Sequence, residues 1–417
     1  MKKSAALFVS FFALAAMAIG CGGDDSTTVG GSDAGSDTSH AEGGGPADGG
    51  SDTGLADTGA DTATEGGADS GGTIAYVASL GGGQETPSIT TTATGTGTFT
   101  LNAAKTQLTY HVTHNVVGGS AAHLHLGFGG EAGAVAFPLM PFSADMTGTI
   151  TVTAADAAHL EAGQIYVNVH SATNTDGEIR GQLLHTGEIL YTAKLTGAQE
   201  VPAVTTTGTG TAAVIVSAAK DSIKYHLKTS LTPTSAHIHN GIGGAPGAVV
   251  HALTPNGMTI DGTVAITATE ATDAADGHWY ANVHTTLNAG GEIRGQFLVP
   301  GEVLYTAVMA GTNEVPPTVS TATGGAQFIL NYAKTSLRYE AVFTNLTATL
   351  AHIHTGTIGV AGSVLYPLTL NANMMGAKGT QAVTSGDVAN LDAAGLYANA
   401  HSTMYPSGEI RDQIRKQ

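Results

Sequence analysis

Three histidines with one spacing occur three times along this sequence of 417 residues. In each set two histidines stand one residue apart, and a third follows the first by 47 to 49 residues. Neutral imidazole is a good ligand for zinc and copper, and three imidazoles with one position left open form a metal site without Cys or Met. The sets predict one site each, at His123, His125 and His170, at His237, His239 and His284, and at His352, His354 and His401.

Strands would position these histidines, because side chains alternate between the two faces of a strand. His123 and His125 then share one face, and His170 shares a face with Tyr166 and Asn168. One more ligand is predicted on the strand before each His-x-His pair: His111, His226 and, in the third set, Glu340.

The same histidines fit a second interpretation, a polar network without metal. Histidines on the polar side of a sheet commonly hydrogen-bond to Asn, Glu or Tyr. An Asn precedes each third histidine and a Glu-x-Arg motif follows it, which gives the predicted network residues Asn168, Glu178, Arg180, Asn282, Glu292, Arg294, Asn399, Glu409 and Arg411. A pH-sensing or partner-contacting role is the third interpretation. The sequence leaves these interpretations open.

A carboxylate in a Gln/Asn-Glu-x-Pro motif opens each repeat, at Glu85, Glu200 and Glu314. A glycosidase needs one acid with a raised pKa, and nothing in the sequence indicates one. The later glutamates, such as Glu178, stand near an Arg that we expect to keep them ionised. We therefore predict a structural turn or a salt-linked network here, and no catalytic residue.

These landmarks recur in one order, so the chain holds three copies of a module. The His-x-His pairs lie 114 and 115 residues apart, which is too long for a solenoid repeat and predicts a separate core for each copy. Charged residues make up only 12% of the chain, and its 58 glycines favour turns and β structure.

Runs of alternating or Thr/Val-rich residues predict eight strands in copy one, near 74–80, 97–103, 107–114, 121–127, 134–140, 147–153, 164–170 and 177–184. Residues 154–163 predict a helical turn that ends at glycine. The fold class is all-β, with three tandem antiparallel β-sandwich or Greek-key barrel domains at 73–185, 188–299 and 302–415. Their short joints predict a semi-rigid rod.

The N-terminal region predicts export and a lipid anchor. Lys2 and Lys3 precede an apolar run that is too short for an ordinary membrane span and ends at Cys21, the only cysteine. The run resembles the lipobox of bacterial lipoproteins, whose cysteine is lipidated, and residues 1–21 are the predicted signal peptide. Gly22 does not resemble the Asp that retains lipoproteins at the inner membrane, which favours the outer membrane or cell surface.

Residues 22–72 consist mostly of Gly, Ser, Thr, Asp and Ala and contain no Lys or Arg. Such a composition predicts a disordered acidic tether. The net charge of −18 argues against a nucleic-acid partner. The predicted partners are the membrane, through the anchor, and an unidentified protein or glycan.

With "AHLHLG", "YVNVH" and "GEIRGQ" in place, each copy resembles the CHRD domain, named from chordin and found singly or in tandem in bacterial exported proteins. The resemblance implies an immunoglobulin-like β-barrel with limited similarity to copper/zinc superoxide dismutases, and no settled biochemical function. By that similarity the His-x-His pair and the later strand histidine correspond to metal ligands. The Asp-bearing zinc subsite and the disulfide that braces the dismutase loops are missing.

We therefore expect a cell-envelope lipoprotein that presents three domains as a binding or surface-structural module and is not an enzyme. Each domain would hold copper or zinc through its three histidines. The alternative is a superoxide dismutase-like copper enzyme, which the same histidines and the fold analogy favour.

Overall fold

The computed structural model describes residues 72–417. Copy one forms eight strands, and all eight predicted strands are confirmed within a few residues at their ends. They are β1 (Ile74–Gly81), β2 (Thr94–Leu101), β3 (Gln107–His114), β4 (Gly119–Leu126), β5 (Ala134–Pro138), β6 (Asp145–Thr151), β7 (Ile165–Ser171) and β8 (Ile179–Gln182).

Copies two and three repeat this order of strands. In copy two they are β9 (Ile189–Thr196), β10 (Thr209–Val216), β11 (Ser222–Thr229), β12 (Ser235–Asn240), β13 (Ala248–Leu253), β14 (Thr259–Ala265), β15 (Trp279–His284) and β16 (Ile293–Gln296). In copy three they are β17 (Val303–Ala310), β18 (Thr323–Leu330), β19 (Ser336–Thr344), β20 (Leu350–Thr355), β21 (Val364–Pro367), β22 (Gly376–Ala382), β23 (Leu396–His401), β24 (Ile410–Gln413) and β25 (Arg415–Lys416).

Each copy forms one barrel-like antiparallel sheet. The strand order in copy one is β5-β4-β7-β8-β1-β2-β3-β6, and the other copies repeat it. The chain passes from β3 to β4, which have four other strands between them in this order, so neighbours in sequence are not always neighbours in the sheet. Such crossing connections are typical of Greek-key barrels. The predicted all-β fold class is confirmed.

Alternation along the strands builds the core of each copy. In β3 the side chains of Leu108, Tyr110 and Val112 are buried, and Thr109 and His111 between them are exposed. Apolar residues of the other strands join them in one cluster, and copies two and three have clusters of their own. Removing this apolar surface from water is the main favourable contribution to folding.

One glycine in each copy permits a close contact across the sheet. A Cβ atom on Gly148 would lie 2.5 Å from the hydroxyl of Tyr110, so no larger residue fits there without a shift. The same contact recurs between Gly262 and Tyr225 and between Gly379 and Tyr339.

A short helix follows the sixth strand of each copy: α1 (Ala154–Glu161), α2 (Ala268–Ala275) and α3 (Ser385–Asp392). The N-terminus of α1 has a capping box, because Thr153 Oγ1 accepts from the Asp156 N–H and the Asp156 carboxylate accepts from the Thr153 N–H. Gly163 follows the helix at φ +69°, a conformation that favours glycine. The predicted helical turn with a glycine stop is confirmed. A 3₁₀ turn follows the first strand of each copy, at Gly82–Gln84, Gly197–Gln199 and Gly311–Asn313.

Consecutive copies meet at two seams. At the first seam the ring of Phe128 stacks on that of His226 at 3.8 Å. At the second seam the N–H of Gly243 donates to Gln327 over 2.9 Å. Copy three also touches copy one, because Tyr332 donates its hydroxyl to the carbonyl of Ile89 over 3.1 Å. A linear rod would keep these two copies apart, so the rod expectation is corrected.

The predicted signal peptide, Cys21 and the predicted tether lie outside the described residues, apart from the last tether residue, Gly72. Among the residues that the structure does describe, no helix has the length and apolar character needed to cross a membrane.

Candidate metal centre

The histidines of each predicted set lie on two neighbouring strands. In copy one β4 pairs with β7 in a register that places His123 opposite Asn168 and His125 opposite Tyr166. His170 lies two residues beyond Asn168 on the same face, and is therefore a diagonal neighbour of His123. The same pairing joins β12 to β15 and β20 to β23.

One ring nitrogen from each histidine of a set converges on a common region. Nδ1 of His123 lies 3.0 Å from Nε2 of His170, and the matching distances in copies two and three are 3.0 and 3.1 Å. In each set the three nitrogens lie within 4.8 Å of one another, so they share a point within about 2.8 Å of all three. A zinc–nitrogen bond is about 2.0 Å long, so small side-chain rotations would bring all three nitrogens into range.

Backbone carbonyls orient two of the three rings. Nδ1 of His125 donates to the carbonyl of Gly133 over 3.0 Å, and Nδ1 of His170 donates to the carbonyl of Thr175 over 2.9 Å. With the proton on Nδ1, the lone pair of each ring is on Nε2. Nε2 of His125 is buried and has no hydrogen-bond partner within residues 72–417. Carbonyl acceptors of this kind are the usual partners of metal-ligating histidines.

The surroundings favour the neutral form of seven of these nine rings. Burial lowers the pKa of His123, and the neighbouring His170 and His125 lower it further. Burial also lowers the pKa of His125. The pKa is lowered, with burial as the largest cause, for the corresponding His237, His239, His352, His354 and His401. Neutral imidazole is the form that binds metal, so the site is set for ligation at neutral pH.

A stack of three side chains supports the second histidine of each set. The ring of His125 stacks on Tyr166 with centroids 4.9 Å apart, and the guanidinium of Arg180 lies 3.4 Å from the centroid of the same Tyr166 ring. The stack recurs with His239, Tyr280 and Arg294, and with His354, Tyr397 and Arg411. The Tyr166 hydroxyl accepts from the Gly133 N–H over 3.0 Å, so the stack also fixes the residue whose carbonyl orients His125.

Comparison with protein families matches the CHRD domain at residues 76–183, 191–297 and 305–414, which is most of the chain. The chain belongs to the CHRD domain family. The resemblance inferred from the sequence motifs is confirmed, in three tandem copies. A search of curated proteins found no match.

The predicted additional ligands lie away from the three histidine clusters of this CHRD protein, which corrects that expectation. Nε2 of His111 lies 2.8 Å from an Asp145 oxygen, and Nδ1 of His226 lies 2.6 Å from Asp261. Glu340 accepts from His278 over 2.8 Å. The physical reason is topological, because β3 and its equivalents are separated from the His-x-His strand by four other strands of the sheet.

The predicted network is built differently from the sequence expectation. Glu178 accepts from the hydroxyls of Thr91 and Ser171 over 2.6 and 2.8 Å and from the amide of Asn174 over 2.5 Å. Hydrogen bonds from Thr91 and Asn174 lower the pKa of Glu178. The expected pairing with the nearby Arg is therefore corrected, because Arg180 donates instead to the carbonyls of the loop at 128–131.

The first glutamate of each CHRD copy has a raised pKa that the sequence motifs did not predict. Burial raises the pKa of Glu85 to about 7, although the charge of Arg180 and a hydrogen bond from Asn168 oppose the shift. The pKa values of Glu200 and Glu314 are also raised to about 7. The expectation that no acid has a raised pKa is corrected. The sequence could not show it, because burial of a turn residue depends on which strands cover it.

The sequence reasoning missed the structural role of the tyrosine and the glycine carbonyl beside each histidine set. Tyr166 was assigned to the same face as His170, but its stacking on His125 was not foreseen. Its recurrence two residues before each network Asn, at 166, 280 and 397, is the signal that could have revealed it.

Proposed function

We propose that this CHRD protein is a metal-binding module with three equivalent sites, each holding one copper or zinc ion through three histidines. The observation that carries the proposal is the convergence of three ring nitrogens in every copy. The buried, unpartnered Nε2 of His125 supports it, as do its equivalents in the part of the chain that the structure describes, because a buried polar atom without a partner is costly.

The three rings would contribute Nδ1 of the first histidine and Nε2 of the other two. The carbonyls of Gly133 and Thr175 already hold the protons of His125 and His170 on Nδ1. His123 shares its Nδ1 with Nε2 of His170 through a 3.0 Å contact, so ligation requires its proton to move from Nδ1 to its own Nε2. Because burial and two neighbouring imidazoles lower the pKa of His123, the positively charged form does not compete at neutral pH.

A bound ion would supply positive charge and an open coordination position. Three protein ligands leave a fourth position free, which a carboxylate, hydroxyl or imidazole of a protein or glycan partner would fill. We propose that the three copies act together as a binding module in this way, since linked sites raise the overall affinity for a partner that carries repeated groups.

Metal stoichiometry tests the proposal. We expect the purified chain, loaded with Cu(II) or Zn(II) and passed through a desalting column, to retain three metal equivalents by elemental analysis. A variant with His237, His239 and His284 changed to Ala should retain two. His226→Gln, which removes a histidine of the same copy outside the cluster, should retain three. If the wild type and the triple variant retain the same number of metal equivalents, the metal site is contradicted and the polar network is favoured.

Superoxide dismutation is the second candidate function, favoured by the open position that three imidazole ligands leave on copper. A superoxide-consumption assay on the copper-loaded chain decides between them. Activity that disappears in the triple alanine variants of all three copies would establish the enzyme, and an inactive copper-loaded chain would leave the binding module.

We also propose that the protein is exported and anchored by a lipid on Cys21. The support is the sequence alone, with two lysines, an apolar run and a terminal cysteine in lipobox order. Detergent phase partitioning tests it, because the wild type should enter the detergent phase and Cys21→Ser should stay in the aqueous phase. Equal partitioning of both proteins contradicts the anchor.

A further inference from the structure

The loop that follows the His-x-His strand packs on the next copy in copies one and two, but is largely exposed in copy three. In copy one this docking loop spans 127–133, and it packs on the first strands of copy two. A Cβ atom on Gly129 would lie 2.9 Å from the side chain of Leu190, so glycine permits the contact. The docking loop of copy two, 241–247, does the same, because a Cβ on Gly243 would lie 2.9 Å from Thr306.

Copy three has Ile358 where the other docking loops have this glycine. Ile358 is 70% exposed, and Val360 nearby is 51% exposed. An isoleucine at this place would overlap with a following copy packed as in the other two seams. The docking loop at 356–362 is therefore not built to receive a fourth copy.

The pocket beside the docking loop is open in copy three and closed in copy one. In copy one Leu190 and Thr192 of the next copy and Pro300 leave a cavity of about 40 Å³ next to Arg180. In copy three the corresponding cavity has a volume of about 250 Å³ and is lined by Asn313, Glu314, Val315, Ile358, Arg411 and Arg415, among others. This volume lies just below the range of about 300–1,000 Å³ for drug-sized ligands, and suits one small ring.

Arg411, at the base of this cavity, makes fewer hydrogen bonds than the equivalent arginines of copies one and two. Arg180 donates to two loop carbonyls and to Gln182, and Arg294 has the same three kinds of partner. Arg411 is only 3% exposed, yet within the described residues its one hydrogen bond is to the Val360 carbonyl. A guanidinium has five N–H donors, so Arg411 has donors left for a ligand.

Two differences accompany this loss of hydrogen bonds in copy three. The Gln413 amide donates to the carbonyls of Gly356, Ala394 and Leu396, much as the Gln182 amide donates to two equivalent carbonyls in copy one, but only Gln182 of these two also accepts from the arginine two residues before it. Asp412 stands where the other copies have Gly181 and Gly295. It holds Arg415 at 2.9 Å, which places a second cation at the rim of the cavity.

The charges select the kind of anion. Arg411 and Arg415 face Asp412 and Glu314, and the pKa of Glu314 is raised to about 7 by burial. The lining therefore carries one net positive charge when Glu314 is protonated and none when it is ionised. A dianion such as phosphate is disfavoured, because two carboxyl groups lie beside it. A single carboxylate matches one guanidinium in planar, bidentate geometry.

The remaining groups indicate what accompanies that carboxylate. Glu314 lines the cavity, and its carboxyl group is available for a further hydrogen bond, because the one from the Asn399 amide is long, at 3.4 Å. A hydroxyl group can donate to it when Glu314 is ionised and accept from it when Glu314 is protonated. Val315 and Ile358 add apolar walls that suit the C–H faces of a sugar ring. We propose that the open cavity of copy three binds a sugar acid, with its carboxylate on Arg411 and a hydroxyl on Glu314.

Calorimetric titration of the full chain, without added metal, tests this proposal with D-galacturonate as the probe and D-galactose as the neutral control. We expect one equivalent of galacturonate to bind, and galactose to bind at least about tenfold more weakly, because it lacks the charge-assisted hydrogen bonds of the carboxylate. Absence of galacturonate binding, or equal binding of galactose, overturns the proposal. Inorganic phosphate that competes as well as galacturonate also overturns it, since the site would then recognise charge alone.

Three variants locate the site. Arg411→Lys should weaken galacturonate binding by about tenfold or more, because lysine cannot make the bidentate contact. If that buried substitution prevents folding, Arg415→Gln at the exposed rim keeps the test decisive, with an expected weakening of about threefold or more. The matched control is Lys416→Gln, which removes the same charge from the same strand outside this cavity, and should change affinity less than about twofold. Equal weakening by Arg415→Gln and Lys416→Gln overturns the assignment.

The bound sugar acid can be a free molecule or one residue of an acidic polysaccharide, and a trimer of galacturonate distinguishes the two. Tighter binding of the trimer than of the monomer identifies one residue of an acidic polysaccharide, and equal affinity identifies a free sugar acid.

Discussion

Two kinds of histidine occupy the outer faces of the same barrels, and their neighbours give them opposite properties. In the proposed metal centre, His125 donates to a backbone carbonyl and faces other imidazoles, and its pKa is lowered. At the first seam, His226 lies between Asp261 of its own copy and Glu131 of copy one. Burial lowers the pKa of His226, but these two carboxylates outweigh burial and raise it.

The second seam repeats the carboxylate environment with different residues. His278 of copy two bonds to Glu340 of copy three, and this hydrogen bond is the largest cause of its raised pKa. Lys378 completes the cluster at 3.2 Å from Glu340. The histidines proposed to bind metal are therefore surrounded by carbonyls and other imidazoles, whereas the histidines beside carboxylates form ion pairs between copies.

The largest expected effect separates the two kinds of histidine by metal affinity. His125→Gln should weaken metal binding in copy one by about a hundredfold or more, equivalent to about 2.8 kcal/mol, because it removes one of three ligands. Competition with a chromophoric chelator measures the change. The matched control is His111→Gln, which removes an exposed histidine of the same copy and should leave all three affinities unchanged. A loss of affinity in the control as large as in His125→Gln would contradict the assignment.

The next effect breaks a seam and leaves the metal centres intact. Gly129→Ile introduces into copy one the residue that copy three has at Ile358, and the new side chain should collide with Leu190. We expect unfolding by urea to report a destabilisation of about 2 kcal/mol, with three metal equivalents still retained. The reverse change, Ile358→Gly, should alter stability by less than about 0.5 kcal/mol, since no described residue packs on it as the next copy packs on Gly129. Similar destabilisation by both changes would show that the docking loops are equivalent.

The pH dependence of the free energy of unfolding should distinguish the seam histidine His226 from the histidines of the proposed metal centre. The pKa of His226 is raised in the folded protein, so its ion pairs stabilise the seam fully below the ordinary value of about 6.5 and are lost as pH rises through the raised pKa. The pKa of Glu131 is lowered, which keeps its carboxylate charged in mild acid. The free energy of unfolding of the wild type should therefore fall between pH 6 and pH 8.5 by about 1.5 kcal/mol more than that of His226→Gln. Parallel pH profiles for the two proteins would contradict the prediction.

The smallest effect is expected for an exposed pair within copy one that lies outside the seams between copies. His111 and Asp145 form a contact of 2.8 Å with side chains that are 52% and 71% exposed. Asp145→Asn should cost less than about 0.5 kcal/mol of stability, because solvent screens exposed pairs. Glu131→Gln at the seam should cost about 1 kcal/mol. If Asp145→Asn lowers the free energy of unfolding as much as Glu131→Gln does, burial between copies adds nothing to the stability that such a pair contributes.

The repeat order, the strands and the histidine sets were predictable from the sequence because each depends on local patterns. A period of two places His123 and His125 on one face, and the recurrence of that pattern marks three copies. The three histidines of each set lie within 50 residues of one another and on paired strands, so a correct strand assignment almost suffices to bring them together.

Tertiary structure alone decided which further residues join them. His111, His226 and Glu340 have the right types, but the sheet order carries them away from the three histidine clusters, and two of them lie at seams between copies. Burial of Glu85 and the open cavity beside Arg411 likewise depend on which strand or copy covers each site. Local periodicity fixes the direction of a side chain along its own strand, whereas its neighbours and its exposure to solvent arise only when distant segments of the chain pack.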